Sequence, residues 1–271
     1  MQTFQRGGGQ ILRGPNPEKR CITVPTLKLL TLNVHKGFTF WNRRFVLPEL
    51  RDAVRSISAD VVCLQEVIGT HSAHAARHKN WPSTPQYEFL ADSIWGQFAY
   101  GRNAVYTEGD HGNGVLSKFP IAKWINHDIS VGKHERRGLL HVILKTPDAA
   151  RDIHLICTHL GLFERQRREQ YERICELVRT AIPASAPLFL AGDFNDWRLR
   201  AHRVLDRCAG LKEAFVQLRG RAARTFPSRW PLLRLDRVYY RNAKLVNASV
   251  LSTRPWSHLS DHAALSAEFA L

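Results

Sequence analysis

This 271-residue chain is short of acidic residues: 24 Asp and Glu face 39 Lys and Arg, a formal net charge of +15. Such a balance favours a polyanionic partner, whether nucleic acid, an anionic membrane surface or a phosphorylated small molecule. No apolar run approaches the roughly 20 residues of a membrane-spanning helix, so no transmembrane segment is expected. The first residues, Met1 to Gly9, have no apolar central region of the kind a secretory signal carries. Five cysteines (Cys21, Cys63, Cys157, Cys175, Cys208) are odd in number and without CxxC spacing. Three of them sit inside apolar stretches, which reads as buried free thiols in a reducing compartment, with the cytoplasm as the expected location. There is no Walker loop, no GxGxxG after a strand, and no serine or cysteine in a nucleophile elbow. A covalent hydrolase or nucleotide-driven enzyme therefore has no support.

What is present is organised around Leu188-Phe189-Leu190-Ala191-Gly192-Asp193-Phe194-Asn195-Asp196. Apolar residues predict a buried strand, Gly192 breaks it, and Asp193 and Asn195 follow two apart. If strand geometry persists, both point to one face, where a carboxylate and a carboxamide orient a water and take its proton. The alternative is a strand-to-loop turn in which both bond local backbone.

Residues 1–25, rich in Gly, Pro, Arg and Gln, read as a flexible basic tail, with one domain expected over 26–271. Leu27 to His35 predicts a strand, Leu47, Leu50, Val54 and Ile57 recur at helical spacing, and Asp60 to Glu66 predicts a second strand. His71, His74 and His78 share a helix face, but no fourth ligand lies nearby, so this segment reads as a solvated helix or lid rather than a zinc site. Short strands follow over Asn113–Ser117, Ile121–Ile129, Gly138–Lys145 and Asp152–Thr158, the last two joined by a turn at Pro147-Asp148. A long helix then buries Tyr171, Ile174, Cys175 and Val178 and turns Glu164, Arg165, Arg167, Arg168, Glu169, Glu172 and Arg173 to solvent. A further helix is predicted over Arg198–Cys208. From Arg219 to Arg237, six arginines interleave with Phe226 and Trp230, which suits a surface that meets phosphates and stacks rings, or else a loop with Trp230 packed inward. Two packed sheets flanked by helices fit this order of elements.

Polar groups recur at the strand ends: Asn33, Glu66, His159, Asp193 with Asn195, Asp236, and Asp261-His262. Each alone is explicable as a cap or turn residue. Together they offer oxygen ligands for Mg²⁺, a base for water, and imidazoles and amides for charge on phosphoryl oxygens.

The ordered set Thr31-Leu32-Asn33-Val34-His35-Lys36-Gly37, Leu64-Gln65-Glu66, Gly112-Asn113-Gly114-Val115-Leu116-Ser117, Thr158-His159-Leu160, Gly192-Asp193-Phe194-Asn195, Leu235-Asp236-Arg237 and Ser260-Asp261-His262 resembles the endonuclease/exonuclease/phosphatase (DNase I-like) superfamily of metal-dependent phosphoesterases. The version here is most similar to small bacterial members. The resemblance implies an α/β fold: a four-layer α/β sandwich, two mixed, mainly antiparallel sheets face to face with helices outside. It implies Mg²⁺, with Mn²⁺ as the alternative, held by Glu66 with Asn33 beside it and Asp261 completing the site. It implies that Asp193 positions or activates water with help from Asn195, that Asp236 orients His262 against a phosphate oxygen, and that His159 contacts the phosphate or assists the leaving group. His35 departs from the pattern, standing where abasic-site endonucleases carry an additional metal-binding Asp. Arg137, Arg229 and Trp230 are candidate substrate contacts. The expected activity is a phosphodiesterase, foremost a nuclease on DNA or RNA. The alternatives are a phosphoesterase acting on phospholipid or inositol phosphate, where anionic lipid head groups meet the basic surface, and a non-enzymatic nucleic-acid-binding module. A monomer is expected.

Overall fold

The computed structural model describes residues 25–133, 135–145 and 151–271. Most of the expected basic tail, and the turn expected at Pro147-Asp148, lie outside these residues. In chain order the elements are β1 (Thr26–Asn33), α1 (Leu47–Ile57), β2 (Val61–His71), α2 (Ser72–Arg77), α3 (Gln86–Ala91), β3 (Gln97–Tyr106), β4 (Gly109–Ser117), β5 (Ile121–Asp128) and β6 (Gly138–Leu144). They continue with β7 (Ile153–His159), α4 (Glu164–Ala181), β8 (Leu188–Asp193), α5 (Arg200–Ala209), β9 (Lys212–Glu213), α6 (Ala214–Arg219), β10 (Asp236–Arg241), β11 (Lys244–Leu251) and β12 (Ala264–Ala270).

The strands form two mixed sheets, ordered β11-β12-β1-β2-β4-β3 and β5-β6-β7-β8-β10-β9. Each is antiparallel apart from one central parallel pair, β1 with β2 and β7 with β8. Strand periodicity of two sorts the side chains into layers. Leu27, Leu29, Cys63, Leu155, Cys157, Phe189, Ala191 and Val238 fill the space between the sheets. Leu30, Leu32, Val62 and Leu64 face outward against α1 and α3, and Ile156, Leu188 and Leu190 face outward against α4 and α5. The result is the expected sandwich of helices, sheet, sheet and helices. No helix among the described residues is long and apolar enough to cross a membrane.

Three sequence expectations are corrected. Arg167 is not part of the solvated face of α4: it is 2% exposed, and its Nη1 donates to the carbonyls of Gly161 (3.0 Å) and Leu162 (2.6 Å). An arginine with backbone acceptors at the helix start is buried at tolerable cost because its charge is hydrogen-bonded. Cys175 is not a free thiol. It meets Cys208 across α4 and α5 with 5.8 Å between Cα atoms and forms a disulfide, whereas Cys63 and Cys157 are free and buried. That disulfide takes one support from the expected reducing compartment. The three histidines do not share one helix: His71 ends β2, His74 lies in α2 and His78 follows it, although α2 itself, with no buried residue, is as solvated as expected. His74 and His78 pack against Phe38 (5.1 and 5.3 Å) and stack on Trp81, because α2 is only six residues long and its flanks fold back onto aromatics.

Gly192 shows how tightly the central strands are set. Its φ of +145° is disfavoured for L side chains, and a Cβ there would collide with the carbonyl oxygen of Thr158 on β7. Gly192→Ala is expected to destabilise the protein by roughly 1–3 kcal/mol or more, read as a lower midpoint in urea denaturation. An unchanged midpoint would mean that the β7–β8 pair relaxes freely.

Candidate active site

The same alternation that builds the core places the polar groups. Asn33 follows Leu27, Leu29 and Thr31 on the inner face of β1, and Asp193 follows Phe189 and Ala191 on that of β8. His159 follows Leu155 and Cys157, and Asp236 precedes Val238 and Tyr240. The apolar filling of the sandwich thus gives way, at one end, to a buried polar cluster.

Its hub is Oδ2 of Asp193, a side chain 1% exposed. Asn33 Nδ2 donates to it at 3.2 Å, His159 Nε2 lies at 3.4 Å and His262 Nε2 at 3.8 Å. The other ring nitrogen of His262 bonds Asp236 Oδ2 at 2.9 Å. Burial pushes the Asp193 carboxyl up, the nearby Asp236 charge pushes it further, and it settles at about 6 although His262 pulls it down. Burial pulls the His262 imidazole down, but Asp236 and Asp193 outweigh it and hold it at about 10, so the ring is cationic at neutral pH. His159 is driven the opposite way, well below the ordinary range, by burial and by Arg137. One imidazole is therefore charged and the other neutral, within reach of one carboxylate.

Glu66 sits beside this cluster. Two residues of β2, Gln65 and Glu66, stand opposite the single Asn113 of β4, a bulge in which Glu66 takes a left-handed φ of 57°. Asn33 Nδ2 also donates to Glu66 Oε1 at 3.3 Å, and His35 Nδ1 lies 3.9 Å from Glu66 Oε2 and 3.3 Å from Asp261 Oδ2. Burial raises the Glu66 pKa, but the His35 ring, Lys36 and the Asn33 bond pull it below the ordinary carboxylate range. Glu66 and Asp261 offer carboxylate oxygens suited to a hard divalent cation, while the Asn33 oxygen accepts the His35 N–H at 3.0 Å. The imidazole of His35 lies against both carboxylates, as a cation would, so the donor set fits such an ion. Among the described residues, the grouping that brings one potential ligand atom each within 4.8 Å of the others is a different one, Asp193, Asp236 and His262. Its imidazole is already bonded to Asp236 and charged, which makes it a poor cation ligand.

Asn195 follows the second of the two readings, the strand-to-loop turn. The strand ends at Asp193, and Asn195 turns to a left-handed φ of 49°. Its N–H donates to Asp193 Oδ1 (2.9 Å) and its Nδ2 to the carbonyl of Leu160 (3.0 Å). It ties the loops after β7 and β8 together instead of sharing a face with Asp193. Arg137 is largely covered, 3.7 Å from Glu135, with its charge felt at His159. Arg229 and Trp230 lie outside the cluster, on a cleft beside it with Phe40 and Trp41. Trp230 is 74% exposed, so the inward-packed alternative does not hold. His111, which sequence reading passed over, feels both Glu66 and Arg137, and burial holds it at about 4. It lies two residues before Asn113, in a run whose only sequence signal is the Gly112-Asn113-Gly114 triplet.

The match to the Endonuclease/Exonuclease/phosphatase family spans residues 30–262, from the strand that carries Asn33 to His262 itself. The chain belongs to this family. It is 54% identical over 246 residues to "Uncharacterized protein YbhP" of Escherichia coli K12, covering 91% of this chain and 97% of that protein. A Beutenbergia cavernae endonuclease/exonuclease/phosphatase superposes with a TM-score of 0.70 at 20% identity, over 91% of this chain and 72% of the other. D. rerio TDP2, solved with a single-stranded DNA product, superposes with a TM-score of 0.65 at 17% identity, over 91% and 99%.

The Asp236–His262 pair yields a prediction. A group whose pKa is raised on folding, here from 6.5 to about 10, adds stability that is full below the unfolded value and is lost as pH rises through the folded one. Asp236→Asn is expected to bring the His262 pKa down towards the ordinary imidazole range and to remove that stabilisation between those two pH values. Imidazole NMR titration reads the shift directly. A ring still titrating near its parent value would assign its charge to Asp193 and Asp261.

Proposed function

We propose that residues 26–271 act as one catalytic domain, a Mg²⁺-dependent phosphodiesterase in which water attacks phosphorus directly. The observation that carries this reading is the convergence of Asn33, His159 and His262 on one buried oxygen of Asp193. A carboxylate held at about 6 is ionised at neutral pH yet basic enough to take a proton from water. Asp193 thus orients the nucleophile and accepts its proton. His262, kept cationic by Asp236, donates to a non-bridging phosphoryl oxygen as charge accumulates there. Neutral His159 holds Asp193 in place and offers its ring to the phosphate or the leaving group. Asn195 acts by fixing the loop behind Asp193. Glu66, Asp261 and Asn33 hold the metal, Mg²⁺ or alternatively Mn²⁺. When bound, the ion supplies positive charge to a phosphoryl oxygen and acidifies coordinated water.

The family's phosphoester chemistry supports the reaction class. The net charge of +15 and the DNA-bound TDP2 neighbour support a nucleic-acid backbone as substrate. Exposed leucines and tryptophans beside the site favour a second reading, a phosphodiester in a lipid head group.

A panel of plasmid, abasic duplex, single-stranded DNA, phospholipid and inositol phosphate, each with Mg²⁺ or EDTA, tests the reaction. Hydrolysis is expected only with metal, and undiminished turnover in EDTA would overturn the proposal. Asp193→Ala is expected to slow turnover by about 10²–10⁴-fold. In Glu66→Ala, the Mg²⁺ concentration for half-maximal rate should rise at least about tenfold. The same concentration should move less in Asn195→Ala, and equal shifts would refute the division of roles between Glu66 and Asn195.

A further inference from the structure

The loops at the active-site end carry side chains that neither the core nor the catalytic cluster explains. Because β1 runs parallel to β2, and β7 parallel to β8, the loops that follow these strands leave at one end of the sandwich. Asn33 and Asp193 meet there. The segment that leads into β10, antiparallel to β8, arrives at the same end. On the β1 side, Trp41 is 72% exposed and faces a cleft of about 430 Å³ that Phe40 and Trp230 also line. The cleft adjoins the catalytic cluster through Phe226, whose ring lies 6.4 Å from that of Phe40 and 5.1 Å from that of His262. Beyond Trp230, Leu232 is 65% exposed. On the far side of the site, Phe163 and Trp197 also stand in solvent, on the loops after β7 and β8.

Charge complements this apolar rim. Arg43, Arg44 and Arg229 line the cleft and no acidic residue does. Two partners of different chemistry suit arginines beside aromatics. Single-stranded nucleic acid uses rings as stacking platforms, but it has no use for an aliphatic side chain such as Leu232 held out in water. A bilayer interface accommodates both kinds. Tryptophan favours the head-group level, leucine the acyl boundary, and arginine the lipid phosphates. Exposed apolar groups gathered around one cleft, as Phe40, Trp41 and Trp230 are, mark an interaction surface.

We propose that this rim docks the protein on an anionic phospholipid bilayer, with Trp41, Trp230 and Leu232 entering the interface and Arg43 and Arg229 meeting lipid phosphates. The docking presents a head-group phosphodiester to Asp193, and that consequence rests on the phosphodiesterase reading above. The protein then acts at the membrane surface without spanning it.

The full chain is tested by co-sedimentation with vesicles of phosphatidylcholine alone and of phosphatidylcholine mixed with phosphatidylglycerol. Binding to the mixed vesicles with a blue shift of tryptophan emission is expected, and it should weaken as salt is raised. Trp41→Ser with Trp230→Ser should lower the vesicle affinity at least about tenfold with the circular dichroism spectrum unchanged. Arg43→Gln with Arg229→Gln should erase the preference for the anionic mixture. No binding by the parent chain, or equal binding by the tryptophan double variant, would overturn the docking. So would a double variant that loses single-stranded oligonucleotide binding while its vesicle binding is untouched, since the rim would then serve nucleic acid. Asp193→Asn separates the two readings: it should keep vesicle binding and lose Mg²⁺-dependent hydrolysis of bis(p-nitrophenyl) phosphate. A parent chain that binds vesicles but hydrolyses no phosphodiester would sustain the docking and overturn the hydrolytic reading.

Discussion

A single amide group stands between two carboxylates that belong to different sheets. Asn33 Nδ2 donates to Glu66 on its own sheet and to Asp193 on the opposite one. Glu66, Asp193, Asp236 and Asp261 would repel one another at the end of a low-dielectric core were they not separated by donors and cations. The amide, the His262 cation and the His35 ring divide that negative charge into two zones. Around Glu66 the carboxylate is held strongly acidic, and around Asp193 it is held weakly so. A site that must keep one carboxylate ionised and ready to coordinate, and another able to accept a proton, needs this separation.

The sandwich makes the separation rigid. Every strand that contributes to the cluster is anchored by apolar neighbours in the same alternating phase, so Asn33, His159, Asp193 and Asp236 inherit their positions from leucine, cysteine, phenylalanine and valine below them. The loops at that end bury Val34, Phe38, Leu160 and Phe194 yet hold Trp41, Phe163 and Trp197 out in solvent, open to a partner.

Local pattern made much of this visible in the sequence. The apolar runs into Asn33 and Asp193 predicted both strands, and the helical spacing of Leu47, Leu50 and Val54 predicted α1, since periodicity is a property of neighbours in the chain. The residues that escaped are those whose partners are remote. Arg167 reads as one more charge on a charged helix until the carbonyls of Gly161 and Leu162 are seen to cap it. Cys175 and Cys208 lie 33 residues apart with nothing in the spacing to join them. Asn195 looked like a second catalytic group at strand period, yet Asp193 itself bends the chain by accepting its N–H. The strand-end polar residues taken together already pointed to one site, but the role of each within it came from the family resemblance, because no local signal encodes contacts between sheets.

The bulge at Glu66 has a meaning for chain length as well as for chemistry. Val62, Leu64 and Val67 all lie in the outer apolar layer although the last step is odd, because the extra residue resets the alternation. Residue 66 is therefore a counting device in β2, independent of the carboxylate it bears. Substitution there leaves the reading frame of the strand intact. Deletion would turn Val67 and Ile68 to opposite layers and carry the fault to the end of the strand. Evolution is thus free to exchange the side chain at this position far more readily than to remove the position, and relatives that have lost the chemistry should still retain the extra residue.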